Sequence, residues 1–395
     1  MPVGIYISVP FCRTKCSFCN FASGVFSREL FERYLDRVTG DIARADSAEV
    51  DSIYLGGGTP SVLAPDQLQR LFTDVRQRFR VTADAEITVE CAPGTLTPEV
   101  IAALVACGVN RVSLGVQSFI DQESRSVGRL HTRAITLADI ANLRAAGITN
   151  ISIDLIAGLP HQTPESWRES LDQVIGAGVP HVSVYMLEVD EDSRLGRELM
   201  AGGTRYHAHF VPDDDTTADL YLQACDRLNR ANVRQYEISN FSRAGCESRH
   251  NLKYWLRLSY FGFGVDAHSM VLKQSGEATR FATSDDLEAL LAGSPVSVRQ
   301  IDRAAAEDET FFLGLRLNRG IDLQVIEKEF GQAAVSRRET AIQELTDAGL
   351  LVREHEILRL TDRGRLLSNE VFEGLTLADA PVEDVAARER LITLK

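Results

Sequence analysis

Cys12-Arg13-Thr14-Lys15-Cys16-Ser17-Phe18-Cys19 is the stretch whose reading decides the fold. Three cysteines stand at C-x3-C-x2-C spacing, directly after an apolar run at residues 4–9 that reads as a buried strand. A short loop can turn three such thiolates toward one point. Soft thiolates select zinc, copper(I) or iron–sulfur clusters. A closed zinc site takes a fourth ligand, usually from a second Cys or His pair at matching spacing. Asn20, Phe21, Ala22, Ser23 and Gly24 follow instead, and none supplies it. Three thiolates on a cubane cluster leave one iron open to a substrate. The alternative is three structural cysteines with no common ligand.

Outward from this loop, strands and helices alternate. Strands are expected at residues 4–9, 52–55, 85–91, 111–116, 151–156 and 181–187. Helices are expected at 27–45, from Pro65 through Phe79, from Thr97 to near Gly108, from Thr136 to Gly147 and from Thr163 to near Gly178. Alternation of this kind implies a parallel sheet with right-handed crossovers. Six consecutive units predict an α/β fold, an incomplete (β/α)6 barrel, with a doubly wound open sheet as the competing architecture.

After Leu187 the pattern changes. Residues 188–215 are polar and acidic and read as a long connection or lid; Asp213-Asp214-Asp215 reads as the solvated start of a helix over 216–232. Residues 235–241 read as one more strand. Beyond Pro295, helical patterns at 304–317, 322–330 and 336–348 precede short β-like runs at 351–353 and 357–360 and a helix from Thr361, an α+β arrangement resembling a winged helix. Its third helix carries Arg337 and Arg338 but also Glu339, Glu344 and Asp347, which suits packing against the barrel better than reading DNA. The expected division is a barrel over 1–235, an extension over 236–294 and a winged-helix-like domain over 295–395.

The chain has 395 residues, 44% of them hydrophobic, and a net charge of −14. That balance argues against nucleic acid as a partner, because phosphate binding needs clustered Lys and Arg. The start Met1-Pro2-Val3-Gly4 does not read as a signal peptide, and no run approaches the ~18 apolar residues of a membrane span. Three clustered cysteines, with Cys91, Cys107, Cys225 and Cys246 scattered, predict a reducing, cytoplasmic setting rather than a disulfide framework.

In a (β/α) barrel the loops after the strands share one mouth. Tyr6 lies in the first strand and the cysteines follow it. Gly57, Gly58 and Thr59 follow the second, Glu90 ends the third, Gln117 follows the fourth, and Asp154 lies late in the fifth with Gly158 just after it. Glycines let backbone approach a ligand closely. Glu90 and Asp154 can take hydroxyl or ammonium groups, or act as caps and ion-pair partners. Gln117 can pair with a polar ligand edge or solvate the rim.

With Phe18 just before the third cysteine, the loop resembles the cluster motif of the radical S-adenosylmethionine (SAM) superfamily. Within it the chain is similar to the anaerobic coproporphyrinogen oxidase family, on Glu90-Cys91-Ala92-Pro93, Gly115-Val116-Gln117-Ser118-Phe119, Gly128-Arg129-Leu130-His131 and Gly158-Leu159-Pro160-His161-Gln162-Thr163. The resemblance implies a [4Fe–4S] cluster on Cys12, Cys16 and Cys19, whose fourth iron chelates the amino and carboxylate groups of SAM. It also implies SAM contacts from Tyr6, Phe18, Gly57, Gly58, Thr59, Glu90, Gln117, Arg129 and Asp154, with Arg129 pairing the carboxylate.

That family has two branches. The oxidase branch carries a cysteine two residues past the third ligand, where Phe21 stands here, and an N-terminal extension for which Tyr6 lies too near the start. His250-Asn251-Leu252-Lys253-Tyr254-Trp255 resembles a hallmark of the other branch, the heme chaperones, as do residues 236–241 and 261–269. Imidazole is a common axial ligand of heme iron, which makes His250 the candidate ligand. Tyr254 and Trp255 offer flat apolar faces, and Arg249 and Lys253 can meet propionates. The other reading of His250 and Trp255 is packing between the barrel and the C-terminal segment; Cys225, Cys246 and His268 are rival ligands.

The resemblance therefore implies a heme chaperone that binds the cluster, SAM and heme and passes heme to an acceptor protein, with an electron donor as a further partner. It allows a homodimer and peripheral contact with membrane heme proteins. The alternative is an oxygen-independent coproporphyrinogen III oxidase, an enzyme that converts propionates to vinyls; Phe21 and the short N-terminus count against that activity. A weaker third reading is a radical SAM enzyme acting on another tetrapyrrole.

Overall fold

The computed structural model describes residues 1–191 and 193–377; the last part of the expected 295–395 domain lies outside the described residues. The first half alternates β1 (Val3–Val9), α1 (Arg28–Arg44), β2 (Glu49–Gly57), α2 (Pro65–Arg78), β3 (Arg80–Cys91), α3 (Pro98–Ala106), β4 (Arg111–Gln117), α4 (Asp121–Ser126), α5 (Arg133–Ala145), β5 (Asn150–Ala157), α6 (Pro164–Ala177) and β6 (His181–Met186). The six strands are parallel neighbours in chain order. A doubly wound sheet would reverse its order at a switch point; this one does not. The sheet stays open, so the architecture is an incomplete barrel.

Local chemistry explains the boundaries. Ser27, Thr97, Thr132 and Thr163 each accept a backbone N–H from the first turn of the helix they precede. Pro65, Pro98 and Pro164 sit where a missing N–H costs nothing. Strand β1 is flanked on both edges and covered on both faces, so Ile5, Ile7 and Val9 are fully buried, each contributing roughly 1.5–3 kcal/mol. Tyr34, Leu35, Val38 and Ile42 of α1 cover it from outside.

Residues 188–215 hold more structure than their polarity suggests: α7 (Arg194–Ala201) and a short 3-10 turn at Ala208–Phe210. Asp213 does cap α8 (Asp214–Arg230). The single strand expected at 235–241 is instead a turn between β7 (Arg234–Gln235) and β8 (Asn240–Ser242), which pair antiparallel. The residues between them look outward to the C-terminal segment: Glu237 bridges Leu317, and Asn318 N–H donates to the Tyr236 carbonyl. Next come α9 (Arg249–Trp255), β9 (Tyr260–Phe263), β10 (His268–Leu272), β11 (Ala278–Ala282), α10 (Leu287–Ala292) and β12 (Ser297–Ile301). Strand β9 pairs in parallel with β1, and β10 to β12 continue the sheet, giving the order β12-β11-β10-β9-β1-β2-β3-β4-β5-β6-β8-β7.

The last segment comprises α11 (Arg303–Gly314), β13 (Ile321–Asp322), α12 (Leu323–Phe330), α13 (Gln332–Ser336), α14 (Glu339–Asp347), β14 (Leu351–Glu354), β15 (Ile357–Leu360), α15 (Asp362–Leu366) and α16 (Ser368–Leu375). Its strands form a three-stranded sheet ordered β13-β15-β14, a helix-and-wing arrangement. Its core also takes in Ile238, Tyr254, Trp255, Tyr260 and Met270, so α9 and the β9–β10 region pack against it. Among the described residues no helix is long and apolar enough to cross a membrane.

Candidate functional site

The cysteine loop is held at the carboxyl end of β1 from three sides. Cys12 N–H donates to Gly24 O and Gly24 N–H to Pro10 O, each at 2.8 Å, which closes the loop on itself. The glycine loop after β2 binds its start: Gly58 N–H donates to Val9 O and Thr59 N–H to Phe11 O, again at 2.8 Å. The Thr59 hydroxyl donates to Cys12 Sγ at 3.6 Å. On the far side Ser17 N–H donates to Val127 O, and Leu195 N–H of α7 donates to Ser17 O. A Cβ on Gly58 would lie 2.8 Å from Val9 O and 2.9 Å from Phe11 O, so this residue is glycine because backbone passes over it.

The thiols are free, with Cys16 buried and Cys12 and Cys19 partly so. Burial raises the Cys12 pKa most, and the neighbouring Cys19 and Cys16 add to it, while Thr59 and Ser23 lower it. Ser23 Oγ also lies 3.7 Å from Cys19 Sγ. Among the described residues no group of three or more His, Cys, Asp or Glu side chains converges to hold a single metal ion. An iron–sulfur cluster is held by thiolates, which is the donor type these three side chains supply. Three soft thiolates on one loop fit an iron–sulfur group.

Around this loop the strand ends deliver polar groups. Gln117 ends β4 at a register irregularity, in the left-handed region with φ 68°. It is 1% exposed, and its Nε2 has no hydrogen-bond partner among the described residues. A strained backbone and an unpaired buried amide each cost on the order of 1–3 kcal/mol, which suits a group waiting for a ligand. Arg129 lies beside it: a Cβ on Gly115 would meet Arg129 Nη2 at 3.2 Å and Gln117 Nε2 at 3.3 Å. Asp154 pairs in register with Gly115 and accepts the Ser113 hydroxyl at 3.1 and 3.2 Å. His131 is neutral here; burial first, then Arg129, pushes its pKa down to about 4, and its ring contacts Val116 O at 3.1 Å.

Two adjoining cavities open from the rim. The larger, about 330 Å³, is lined by Phe18, Cys19 and Gln117 and roofed by residues 365–370 of the C-terminal segment. The smaller, about 30 Å³, is lined by Tyr6, Gly57, Glu90 and His250 among others. Phe21 lines both. Thus Cys12, Cys16, Cys19, Tyr6, Phe18, Gly57, Gly58, Thr59, Glu90, Gln117, Arg129 and Asp154 gather at one end of the sheet. Tyr54 was not foreseen. Its hydroxyl donates to Glu90 Oε1 at 2.8 Å, yet in the sequence it is one more aromatic in an apolar strand. Trp255 lines the larger cavity with Arg316, whose guanidinium lies 4.4 Å over its ring.

His250 is 1% exposed and makes two contacts within the protein, Nδ1 to Ser52 Oγ at 3.0 Å and Nε2 to Tyr254 OH at 2.9 Å. Burial pushes its pKa down to about 3. Heme ligation through it would break one of these contacts. Lys253 is paired with Asp51 at 2.7 Å, and Arg249 with Asp84 at 3.6 Å. Burial raises the Cys225 and Cys246 thiols, Cys225 to about 11, and neither lines the cavities; His268 lies 3.8 Å from Asp266.

Residues 6–174 match the radical SAM superfamily and residues 301–367 the HemN C-terminal domain. The chain is 34% identical to the heme chaperone HemW of Mycobacterium tuberculosis over 391 residues, covering 95% of each chain. It is 32% identical to HemW of Lactococcus lactis, covering 96% of this chain and 98% of that one, and 30% identical to HemW of Escherichia coli. The solved coproporphyrinogen III oxidase (HemN) of E. coli shares the fold, with a TM-score of 0.81 over 95% of this chain and 90% of that one, at 24% identity. An open parallel barrel with three cysteines after its first strand, and similarity at this level along nearly the whole chain, lead to one assignment: the chain belongs to the HemW family of radical SAM proteins.

Proposed function

We propose that this protein is a cytoplasmic heme chaperone that holds a [4Fe–4S] cluster on Cys12, Cys16 and Cys19, binds SAM beside it, and carries heme to an acceptor protein. The observation that carries the SAM reading is the Gln117–Arg129 pair, an unpaired buried amide beside a guanidinium at the mouth of the cysteine loop. Arg129 would take the SAM carboxylate. Gly57 and Gly58 bring backbone to the ligand, and Glu90, set by Tyr54, and Asp154, set by Ser113, would accept its hydroxyl or ammonium groups. When bound, the cluster supplies one-electron chemistry to the sulfonium. Phe18, Phe21 and Trp255 would keep water from that side of the cavity.

For heme, Trp255 lines the larger cavity, with the Arg316 guanidinium 4.4 Å over one face of its ring. His250 would serve as ligand only after giving up Ser52 or Tyr254. Phe21, where the oxidase branch has a cysteine, argues for carriage over propionate decarboxylation. The test is a pair of anaerobic assays on reconstituted protein. Heme titration should give a saturable Soret band, and incubation with coproporphyrinogen III, reductant and SAM should give no protoporphyrinogen. Product without stable heme binding would reverse the proposal. An unchanged heme spectrum in His250→Ala would remove His250 as the ligand.

A further inference from the structure

The small cavity has one wall that the SAM reading has not used. Asn251 of α9 lines it together with Tyr6, Phe21, Gly57 and Glu90. Asn251 is 5% exposed, and its Oδ1 is shut from solvent with no hydrogen-bond partner among the described residues. Its backbone is already satisfied, the N–H donating to Ser248 Oγ at 3.3 Å, so the side chain is not needed to cap the helix. A buried amide without a partner costs on the order of 1–3 kcal/mol, which a ligand group would recover. At about 30 Å³ the space takes one small polar group, the size of a single water, and not a whole cofactor.

The helix that presents Asn251 is firmly set. Glu86 accepts the backbone N–H groups of Arg249 and His250, each at 3.0 Å, and Lys253 is tied to Asp51. The ring of His250 is braced between Ser52 and Tyr254, and lies 5.4 Å from that of Tyr54, the residue that holds Glu90. Asn251 therefore lines the same small cavity as Glu90, from a fixed wall.

We propose that Asn251 is a SAM-binding residue: its amide holds the same hydroxyl or ammonium group of SAM that Glu90 accepts. The inference rests on SAM occupying the rim beside the cysteines. It gives α9 a role at the SAM pocket through Asn251, while Trp255 at its other end lines the larger cavity.

The experiment uses the full chain with its cluster reconstituted. Asn251→Ala and Asn251→Ser are compared with wild type by equilibrium dialysis of SAM, with iron content and the heme Soret titration measured on the same samples. Asn251→Ala should weaken SAM binding by on the order of tenfold, with iron content and heme titration unchanged; Asn251→Ser should recover part of the loss. The fragments 5′-deoxyadenosine and methionine, used as competitors, separate the two sources of the group. Selective loss of the first assigns a ribose hydroxyl, and of the second the ammonium. Wild-type SAM affinity in Asn251→Ala at full iron content overturns the proposal, as does loss of heme binding with SAM binding intact. If Asn251→Ala loses iron, Asn251→Ser at full iron content decides by the same criterion. Failure of the wild-type protein to bind SAM would instead remove the reading beneath it.

Discussion

Gly58→Ala tests how the barrel holds its cysteine loop. The added methyl would lie 2.8 Å from Val9 O, 2.9 Å from Phe11 O and 2.9 Å from the Pro10 carbonyl carbon. All three are backbone atoms, so no side chain can swing aside. Strand β1 cannot retreat either, because β2 and β9 pair with it on both edges. Relief must come from lifting the glycine loop or the Phe11–Cys12 segment, which strains the hydrogen bonds Gly58 to Val9 and Thr59 to Phe11 and moves Thr59 from Cys12. Overpacking of this kind costs about 1–3 kcal/mol. Gly176→Ala in α6 is the control: nothing lies within 4 Å of its Cβ, and alanine in a helix gains about 0.5–1 kcal/mol. Thermal melts of the apo-protein and iron content after anaerobic reconstitution read both effects. Gly58→Ala should melt lower and retain less iron, and Gly176→Ala should do neither. Equal melting and iron content in Gly58→Ala would refute the packing argument.

Other expectations are equally specific. Gln117→Gly removes a left-handed non-glycine residue and an unpaired buried amide, so its melting temperature should equal or exceed that of wild type while SAM affinity falls; a large destabilisation would contradict the strain reading. His131 is neutral in the fold down to about pH 4, but ionises near 6.5 when unfolded. Its contribution is therefore present above pH 6.5 and lost as pH falls toward 4, on the order of 3 kcal/mol in all; His131→Gln should flatten the fall in melting temperature over that window. Arg338 is 1% exposed and pairs with buried Glu307 and Asp308, so Arg338→Met breaks a buried charge network, although Glu307 keeps Arg337, and should cost about 3 kcal/mol, seen as early melting or proteolysis of the C-terminal segment.

Much of this was legible in the sequence because the barrel repeats itself. Each strand is a short apolar run, most of the barrel helices open on Ser or Thr, some with Pro following, and the odd polar residues fall at strand ends. Three kinds of information were not local. Residues 260–263 carry no strand signal of their own because their partner is β1, some 250 residues away in the chain. Gly262 and Gly264 are required there by close approach: a Cβ on Gly262 would lie 2.1 Å from His268 O, and Gly264 has φ 101°. The turn at residues 236–239 is set by Leu317 and Asn318, which no window around it contains. The block at residues 250–255 combines an imidazole, an amide and two aromatics, which suits a heme site on composition. Its actual contacts, with Ser52, Asp51 and Glu86, are visible only once β2 and β3 stand beside α9.

The proposed function stands most directly on the three thiolates and the iron they would leave open. After anaerobic reconstitution, iron and sulfide should each reach four per chain, and the electron paramagnetic resonance signal of the reduced protein should shift when SAM is added. Cys12→Ala should lose both properties. Zinc bound to the three cysteines, or a cluster signal that SAM does not move, would contradict it.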